Sequence, residues 1–291
     1  MKPGQFTYHA PRSADEAVAM LAALSPQEGR VIAGGQSLVP AMALRLAMPA
    51  HLVDISGVAE LARLAVEGDE LVIGAAVTHS RFETSAVAGP LGRLLAGVAR
   101  HIGHYPIRTR GTFCGSIANA DPASEWCVVA ACLGATMVAR SARGTRRVAA
   151  ADFFQGMLAT ALASDELLIE VRLPRLAAAA RWGFYEFSRR PGDFAVAMAL
   201  ATYQLADGVI AAPRIAVGGV EDRPRRIAAA EAAIVGASPS AALLQAAADA
   251  AARAVAPIDE KAETVNYKRD VTRAAVRRAL AAAAIAEDQR A

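Results

Sequence analysis

Residues 111–122 read Gly-Thr-Phe-Cys-Gly-Ser-Ile-Ala-Asn-Ala-Asp-Pro, and a shorter stretch of similar composition, residues 33–38, reads Ala-Gly-Gly-Gln-Ser-Leu. Each stretch combines glycine with a hydroxyl residue. Glycine has no Cβ, so backbone N–H groups beside it can approach a phosphate closely. Each stretch also lies next to an apolar run typical of a strand. Together they predict a ligand with two phosphate groups that the chain contacts from opposite sides.

The length and composition place these stretches in a multidomain chain. It has 291 residues, more than the roughly 100 to 200 residues typical of one domain, so we expect two or three domains. The hydrophobic content is 54 %, much of it alanine, and no apolar run reaches the roughly 18 uncharged residues that cross a bilayer. The N-terminus shows no apolar segment of the kind a signal peptide needs. We therefore expect a cytoplasmic protein without a membrane span.

Charge and cysteine content argue against two classes of site. The 31 basic and 28 acidic residues nearly balance, and the arginines are scattered rather than clustered with aromatic residues, so we expect no nucleic-acid partner. Cys114, Cys127 and Cys132 fit neither a zinc site nor a disulfide framework. An ordinary iron–sulfur cluster needs a cysteine quartet, so this chain cannot hold one by itself and we expect no metal site in it.

The hydrophobic periodicity predicts an α+β fold of short helices and strands. A capping box at residues 13–16 begins a first helix that ends near Pro26. Beyond an alanine-rich seam at 176–181 the pattern changes to a meander of strands followed by helices. Helices are predicted at 14–24, 38–46, 90–102, 125–133, 227–235, 239–255 and 265–285, and strands at 31–33, 52–55, 61–66, 71–76, 135–139, 146–149, 167–173, 182–188, 194–205 and 209–217.

The first glycine stretch offers hydrogen-bond donors to a diphosphate such as the one that joins a flavin to adenosine. Gly34, Gly35, Gln36 and Ser37 supply several N–H groups without a carboxylate beside them in sequence. The alternative is that the glycines serve only a tight strand-to-helix turn. The residues of this stretch leave both interpretations open.

The second glycine stretch is more specific because its polar groups are of several kinds. Gly111 and Gly115 allow close backbone approach. Two hydroxyls, an amide and a carboxylate that can accept from a ribityl or ribose hydroxyl surround them in sequence, at Thr112, Ser116, Asn119 and Glu125. The pattern also predicts that Asp121 caps a helix beginning at Ala123.

These residues make the chain resemble a known family, the flavin-binding medium subunits of molybdenum hydroxylases. That group includes carbon monoxide dehydrogenase and the flavin domain of xanthine dehydrogenase. The resemblance covers nearly the whole length, through residues 33–38 with Leu-Arg-Leu at 44–46, residues 107–112 and 115–122, Ser-Arg-Arg at 188–190, Gly-Asp-Phe-Ala at 192–195, Gly-Gly-Val at 218–220 and the C-terminal helix motif at 266–273.

The resemblance implies a flavin-binding fold of the two-subdomain, PCMH type, with FAD between the subdomains. The first FAD-binding subdomain would span residues 1–57 and the second residues 58–176. A C-terminal domain, with an antiparallel three-stranded sheet plus helices, would span residues 177–291.

The resemblance also implies which residues contact FAD. Phe194 matches a position where relatives often place an aromatic ring against the isoalloxazine, and the alternative is an ordinary inward-facing strand residue. No catalytic residue is assigned to this chain. The complete set of implied cofactor contacts is Ala33, Gly34, Gly35, Gln36, Ser37, Leu38, Ile102, Gly111, Thr112, Cys114, Gly115, Ser116, Asn119, Glu125, Leu168 and Phe194.

Two positions depart from the family pattern. Cys114 stands where relatives have glycine, so either the loop stands off from the cofactor or the thiol packs into the pocket wall. Gln36 stands where histidine is frequent. The loosely spaced His79, His101 and His104 are predicted to be surface residues or residues behind the ligand contacts.

By this resemblance the chain is the FAD-binding electron-transfer subunit of a molybdenum-containing oxidoreductase. It would receive electrons from [2Fe-2S] clusters on a small partner subunit and pass them to an external acceptor, while a large partner subunit carries the molybdenum cofactor. The expected assembly is a dimer of heterotrimers. Two alternatives stay open: a self-sufficient flavoprotein oxidase or reductase, and a scaffold subunit that has lost FAD, for which Cys114 is the hint.

Overall fold

A three-stranded parallel sheet, in the order β1-β3-β2, opens the chain. The computed structural model describes residues 2–259 and 261–285. Parallel neighbours need crossover connections, and short helices supply them here. Ser13 caps the first helix by accepting a hydrogen bond from the Glu16 backbone N–H at 3.1 Å, as the capping box predicts. The elements are β1 Thr7–His9, α1 Ala14–Leu24, β2 Gly29–Ile32, α2 Leu38–Ala43 and β3 His51–Asp54.

The middle of the chain forms a five-stranded antiparallel sheet in the order β4-β5-β10-β6-β7. A separate two-stranded hairpin, β8-β9, follows the last of its helices. Successive elements are β4 Leu64–Glu67, β5 Glu70–Gly74, α3 Pro90–Ala99, α4 Tyr105–Arg108, α5 Phe113–Asn119, α6 Glu125–Leu133, β6 Thr136–Ser141, β7 Gly144–Ala149, α7 Ala150–Phe153, β8 Phe154–Gly156, β9 Ala159–Thr160 and β10 Leu167–Pro174. Short 3₁₀ helices occupy Ser25–Gln27, Ala59–Ala62 and His79–Phe82.

The C-terminal part forms an antiparallel sheet in the order β11-β12-β13-β14. The sequence predicts three strands here, and the structure adds a fourth because the two residues of β14 pair with β13. Helices α9 and α10 pack together, and α10 crosses β11 and β12. The elements are β11 Arg181–Phe187, β12 Ala197–Ala206, β13 Val209–Gly218, β14 Arg225–Arg226, α8 Ala228–Ala232, α9 Ala241–Ala254 and α10 Ala262–Ala284.

Helix α6 connects the middle of the chain to the C-terminal sheet. It is apolar on all sides, as its sequence Glu-Trp-Cys-Val-Val-Ala-Ala-Cys-Leu shows, and such a helix must be buried all round. It packs against α5 on one side and against β12 and β13 on the other. Trp126 at its start and Leu133 at its end are both fully buried. The core of the middle part of the chain therefore continues into the C-terminal sheet.

Most predicted elements are present, with shifted ends. Helix α2 stops at Ala43, and Arg45 beyond it has a positive φ of 60°. The strand predicted from residue 194 begins instead at Ala197, so Phe194 lies in the loop before it. Strands β1, β8 and β9 are absent from the sequence prediction because two or three residues carry too little periodicity. The boundaries 1–57, 58–176 and 177–291 stay predictions.

Candidate functional site

The two glycine stretches meet. A Cβ built on Gly34 would lie only 2.0 Å from the backbone oxygen of Arg110 and 2.6 Å from the Cα of Gly111. Real Cβ atoms do not approach other atoms this closely, so only glycine permits the observed backbone contact. The loop at 33–38, called here the first loop, thus lies directly on the segment that enters 111–116, the second loop.

The first loop is a strand-to-helix turn with little side-chain support. Gly35 has a φ of +70°, a conformation that favours glycine. The side-chain amide of Gln36 donates to the Gly34 carbonyl oxygen at 3.0 Å, so this residue stabilises its own loop. Ala33 is half-buried, Ser37 is exposed, and Leu38 begins α2. This loop therefore offers a ligand mainly its backbone N–H groups.

The second loop is shaped by the start of α5. The Thr112 hydroxyl oxygen accepts from the Gly115 backbone N–H at 3.0 Å and caps the helix. A Cβ on Gly115 would lie 2.7 Å from that oxygen, so this glycine permits the cap. The Thr112 hydroxyl keeps its own hydrogen for a further acceptor. Ser116 and Asn119 follow on α5 and are half-buried.

Cys114 points into the core. Its side chain is 2 % exposed, and its Sγ donates to the Ile73 carbonyl oxygen at 3.3 Å. Burial raises the pKa of the thiol far above its ordinary value, so it stays protonated. Of the two outcomes expected for this departure from glycine, packing of the thiol inside the protein is the one observed.

His79 lies buried beneath the second loop and not at the surface, which is one of the two positions predicted for it. A Cβ on Gly111 would lie 2.5 Å from its Nε2. The indole N–H of Trp126 donates to His79 Nδ1 at 2.9 Å, so the neutral ring carries its proton on Nε2, toward Gly111. Burial lowers the pKa of His79 to about 4. Spacing gives no sign of this contact, because 47 residues separate the partners.

Asp121 and Pro122 link the second loop to the C-terminal sheet. The Pro122 carbonyl oxygen accepts from the Gly219 backbone N–H at 2.8 Å. The Asp121 carboxylate accepts from the Ala123 backbone N–H at 2.9 Å, which makes a turn rather than a helix cap. The predicted cap at Ala123 is wrong, because α6 begins two residues later, at Glu125.

Phe194 lies on a loop that touches the approach to the second loop. A Cβ on Gly192, which has a φ of +84°, would lie 2.4 Å from the ring of His104. The Phe194 side chain is 75 % exposed, which is unusual for a large apolar residue and excludes the inward-facing alternative. A cleft of about 320 Å³ opens beside it, lined in part by Arg189, Asp193, Tyr267 and Lys268.

Two carboxyl groups, on Glu125 and Glu186, have pKa values well above the ordinary value for glutamate. Burial raises the pKa of Glu125 to about 7, and the charge of Asp121 adds to the effect. Burial and the charge of Glu125 raise the pKa of Glu186 to about 8. The Oε2 atom of Glu186 is buried without a hydrogen-bond partner. FAD carries hydroxyl, carbonyl and imide groups that would satisfy such an atom, so the residues present fit this cofactor.

Two of the implied contacts are apolar and lie in the core. Ile102, just after α3, is 7 % exposed, and Leu168, on the central strand β10, is 4 % exposed. Their contact with a cofactor stays a prediction, as it does for the rest of the set. Among residues 2–259 and 261–285, no group of three or more His, Cys, Asp or Glu side chains could hold a metal ion. The described helices include none that is long and apolar enough to span a membrane.

Comparison with known families assigns both halves of the chain. Residues 4–176 match the family described as the FAD binding domain in molybdopterin dehydrogenase. Residues 182–283 match the CO dehydrogenase flavoprotein C-terminal domain.

Individual relatives match over almost the full length. The nicotine 6-hydroxylase medium subunit of Paenarthrobacter nicotinovorans is 35 % identical over 280 residues, covering 96 % of this chain and 98 % of the relative. The carbon monoxide dehydrogenase medium chain of Hydrogenophaga pseudoflava is 34 % identical over 283 residues, covering 97 % and 98 %.

Solved structures show the same architecture and confirm the predicted α+β class. The structure of carbon monoxide dehydrogenase from Hydrogenophaga pseudoflava that lacks the Mo-pyranopterin moiety matches with a TM-score of 0.92 at 36 % identity, covering 97 % of this chain and 98 % of that one. Quinoline 2-oxidoreductase from Pseudomonas putida 86 matches with a TM-score of 0.90 at 36 % identity, with the same coverage. The chain therefore belongs to the FAD-binding medium subunits of the molybdenum hydroxylases, a family of oxidoreductase subunits.

Proposed function

We propose that this chain is the electron-transfer subunit of a heteromeric molybdenum hydroxylase, in which it passes electrons from [2Fe-2S] clusters on a partner to an external acceptor. FAD, when bound, supplies the redox chemistry, and the protein supplies binding and orientation. The partners would be a large molybdenum-cofactor subunit and a small iron–sulfur subunit, assembled as a dimer of heterotrimers in the cytoplasm. Relatives named medium subunit or medium chain support such an assembly.

The observation that carries the proposal is the contact of Gly34 with the Arg110–Gly111 peptide. It brings the backbones of the two loops together, as the binding of one diphosphate from both sides requires. The loops would bind the FAD diphosphate and ribityl chain through the backbone at 33–38 and 111–116 and through the Thr112 and Ser116 hydroxyls.

Other residues would hold the rest of the cofactor. Glu125 and Asn119 would contact FAD hydroxyls, while Ile102 and Leu168 would line the flavin pocket. The exposed ring of Phe194 would cover the isoalloxazine and shield it from water. The cleft beside Phe194 opens at this point and offers an external acceptor a path of approach.

One alternative loses its support. The FAD-free scaffold rested on Cys114, whose thiol lies in the core and donates to Ile73 rather than standing at the open side of the loop. The remaining alternative, a self-sufficient oxidase or reductase, makes a different prediction about which molecules reduce the flavin.

Anaerobic flavin reduction tests the proposal. The full-length chain is loaded with FAD, candidate organic substrates are added, and the visible flavin absorbance is followed first without and then with the iron–sulfur and molybdenum subunits. Bleaching only in the presence of both partners is the expected result. Rapid bleaching by a substrate with no partner present would establish the oxidase instead. A chain that holds no FAD would overturn both.

A further inference from the structure

A buried carboxyl lies where the C-terminal sheet meets the FAD-binding region. Glu186 belongs to β11, and its side chain is 5 % exposed. Its Oε2 atom has no hydrogen-bond partner. The nitrogen nearest to it in an ion-pair geometry is His101 Nδ1, at 3.8 Å, which is too far for a hydrogen bond. Buried polar atoms of folded proteins are nearly always hydrogen-bonded, to the protein, to ordered water or to a ligand, so this atom has a bond to offer.

His101 does not neutralise this carboxyl. Burial lowers the pKa of His101, so the ring is neutral at neutral pH and offers no positive charge. The ring packs edge-on against Phe184 with centroids 5.0 Å apart, an apolar contact. Glu186 therefore lies in a weakly polar environment where an isolated negative charge is costly.

Glu125 is the charged neighbour that acts on Glu186, and Asp121 acts in turn on Glu125. Since all three are acids, each raises the cost of ionising the next. Where like charges lie near each other in a desolvated place, ionisation of the first carboxyl raises the pKa of the second. Glu125 of α6 and Glu186 of β11 are such neighbours and are called here the Glu125–Glu186 pair.

Several cations on the neighbouring elements have partners other than Glu186. Arg93 of α3 has a partner of its own. Arg278 of α10 donates to the Tyr185 hydroxyl, and Arg214 donates to the Leu133 carbonyl oxygen. Arg225 and Arg226 bind Glu221 and Glu231.

We propose that the Glu125–Glu186 pair retains one proton and donates it in a hydrogen bond to bound FAD, so that Glu186 is a further cofactor-contacting residue, supplied by the C-terminal domain. This inference rests on the proposed function. A protonated carboxyl can donate to a flavin carbonyl or a ribityl oxygen, whereas a carboxylate can only accept. FAD affinity is then linked to protonation of the pair and falls as pH rises.

The experiment measures the dissociation constant of FAD from the full-length chain between about pH 6 and about pH 9 by quenching of flavin fluorescence. The wild-type affinity should fall about tenfold over this range. Glu186→Gln keeps a donor that does not titrate, so its FAD affinity should fall less steeply with pH than that of the wild type. Glu125→Gln removes the neighbouring charge, so the fall should begin at lower pH. Glu263→Gln, at an exposed position, is the matched control and should keep the wild-type profile.

The outcomes separate the two proposals. A wild-type affinity that does not change with pH, or a Glu186→Gln profile as steep as that of the wild type, overturns the carboxyl pair while leaving the FAD subunit assignment intact. Absence of FAD binding at every pH overturns both. Circular dichroism of each variant checks the fold, and because the readout is the shape of the pH profile, a uniform loss of affinity in a variant does not imitate the expected result.

Discussion

The first and second loops look alike in sequence but are held in place differently. The second loop is anchored in the core by the Thr112 cap, the buried Cys114 thiol and the His79 ring beneath Gly111. The first loop has half-buried or exposed residues, and its contact with the rest of the site runs through Gly34. Similar glycine-rich composition therefore occurs in a second loop that is fixed to the core and in a first loop that is held mainly by its contact with the second.

The strongest test of this difference is Gly34→Ala. The added methyl group would lie 2.0 Å from the Arg110 carbonyl oxygen, and backbone atoms cannot swing aside as a side chain can. We expect the loops to separate and FAD binding to weaken by about a hundredfold or more, as titration of FAD would show. Gly57→Ala, where nothing lies within 4 Å of the new Cβ, is the control. Unchanged affinity in Gly34→Ala would mean that the first loop does not depend on the second.

A negative charge introduced into the first loop should have the next largest effect on FAD affinity. Gly35→Asp would place a carboxylate beside the proposed diphosphate, and Gly35→Asn gives nearly the same shape without the charge. Both carry the strain of a φ of +70° and the approach to Val39 at 3.1 Å, so their difference isolates electrostatics. We expect Asp to bind FAD more weakly than Asn by about 1–3 kcal/mol, less at high salt. Equal dissociation constants for the two variants would show that this loop does not bind the diphosphate.

The stability of the chain should fall in acid because His79 is buried beneath the second loop. Folding lowers the pKa of His79 to about 4 from 6.5, so protonation of this ring favours the unfolded chain. The apo chain therefore loses stability as pH falls from 6.5 toward 4. At about pH 5 the loss should be about 2 kcal/mol relative to neutral pH. His79→Gln should abolish it in urea unfolding experiments. Glu125 and Glu186 have raised pKa values and change the stability with pH in the opposite direction. They do so equally in the wild type and in His79→Gln, so their effect cancels when the two proteins are compared. Identical pH dependence of the two proteins would contradict a buried neutral His79.

The smallest expected effect on FAD concerns Cys114. Because its thiol faces the core, Cys114→Ala should lower the free energy of unfolding by about 1–2 kcal/mol through lost packing. FAD affinity should stay within about threefold of wild type. Denaturant unfolding and FAD titration on the same preparation separate the two quantities. A tenfold weaker affinity, about 1.4 kcal/mol, would show that this side chain shapes the binding surface.

Local patterns in the sequence predict local structure well. The capping box at Ser13 begins α1 where expected, and the uniformly apolar run after Glu125 gives both ends of α6. The glycine motifs correctly indicate places where backbones approach closely. The contact between His79 and Trp126 was not predicted, because it joins residues far apart in sequence without any shared motif. Glu186 was missed for a similar reason, since its environment arises only when β11 packs against α3.

The position of α6 has a consequence for how the chain can be divided. A fragment ending at residue 176 would keep the whole FAD-binding family match yet strip the helix of its partners on β12 and β13. Val128, which packs against Gly218, and Cys132, whose thiol reaches the Leu200 carbonyl oxygen, would then face water. Exposed apolar surface of this kind promotes aggregation. The two regions that match different family descriptions should therefore express and fold as a single unit.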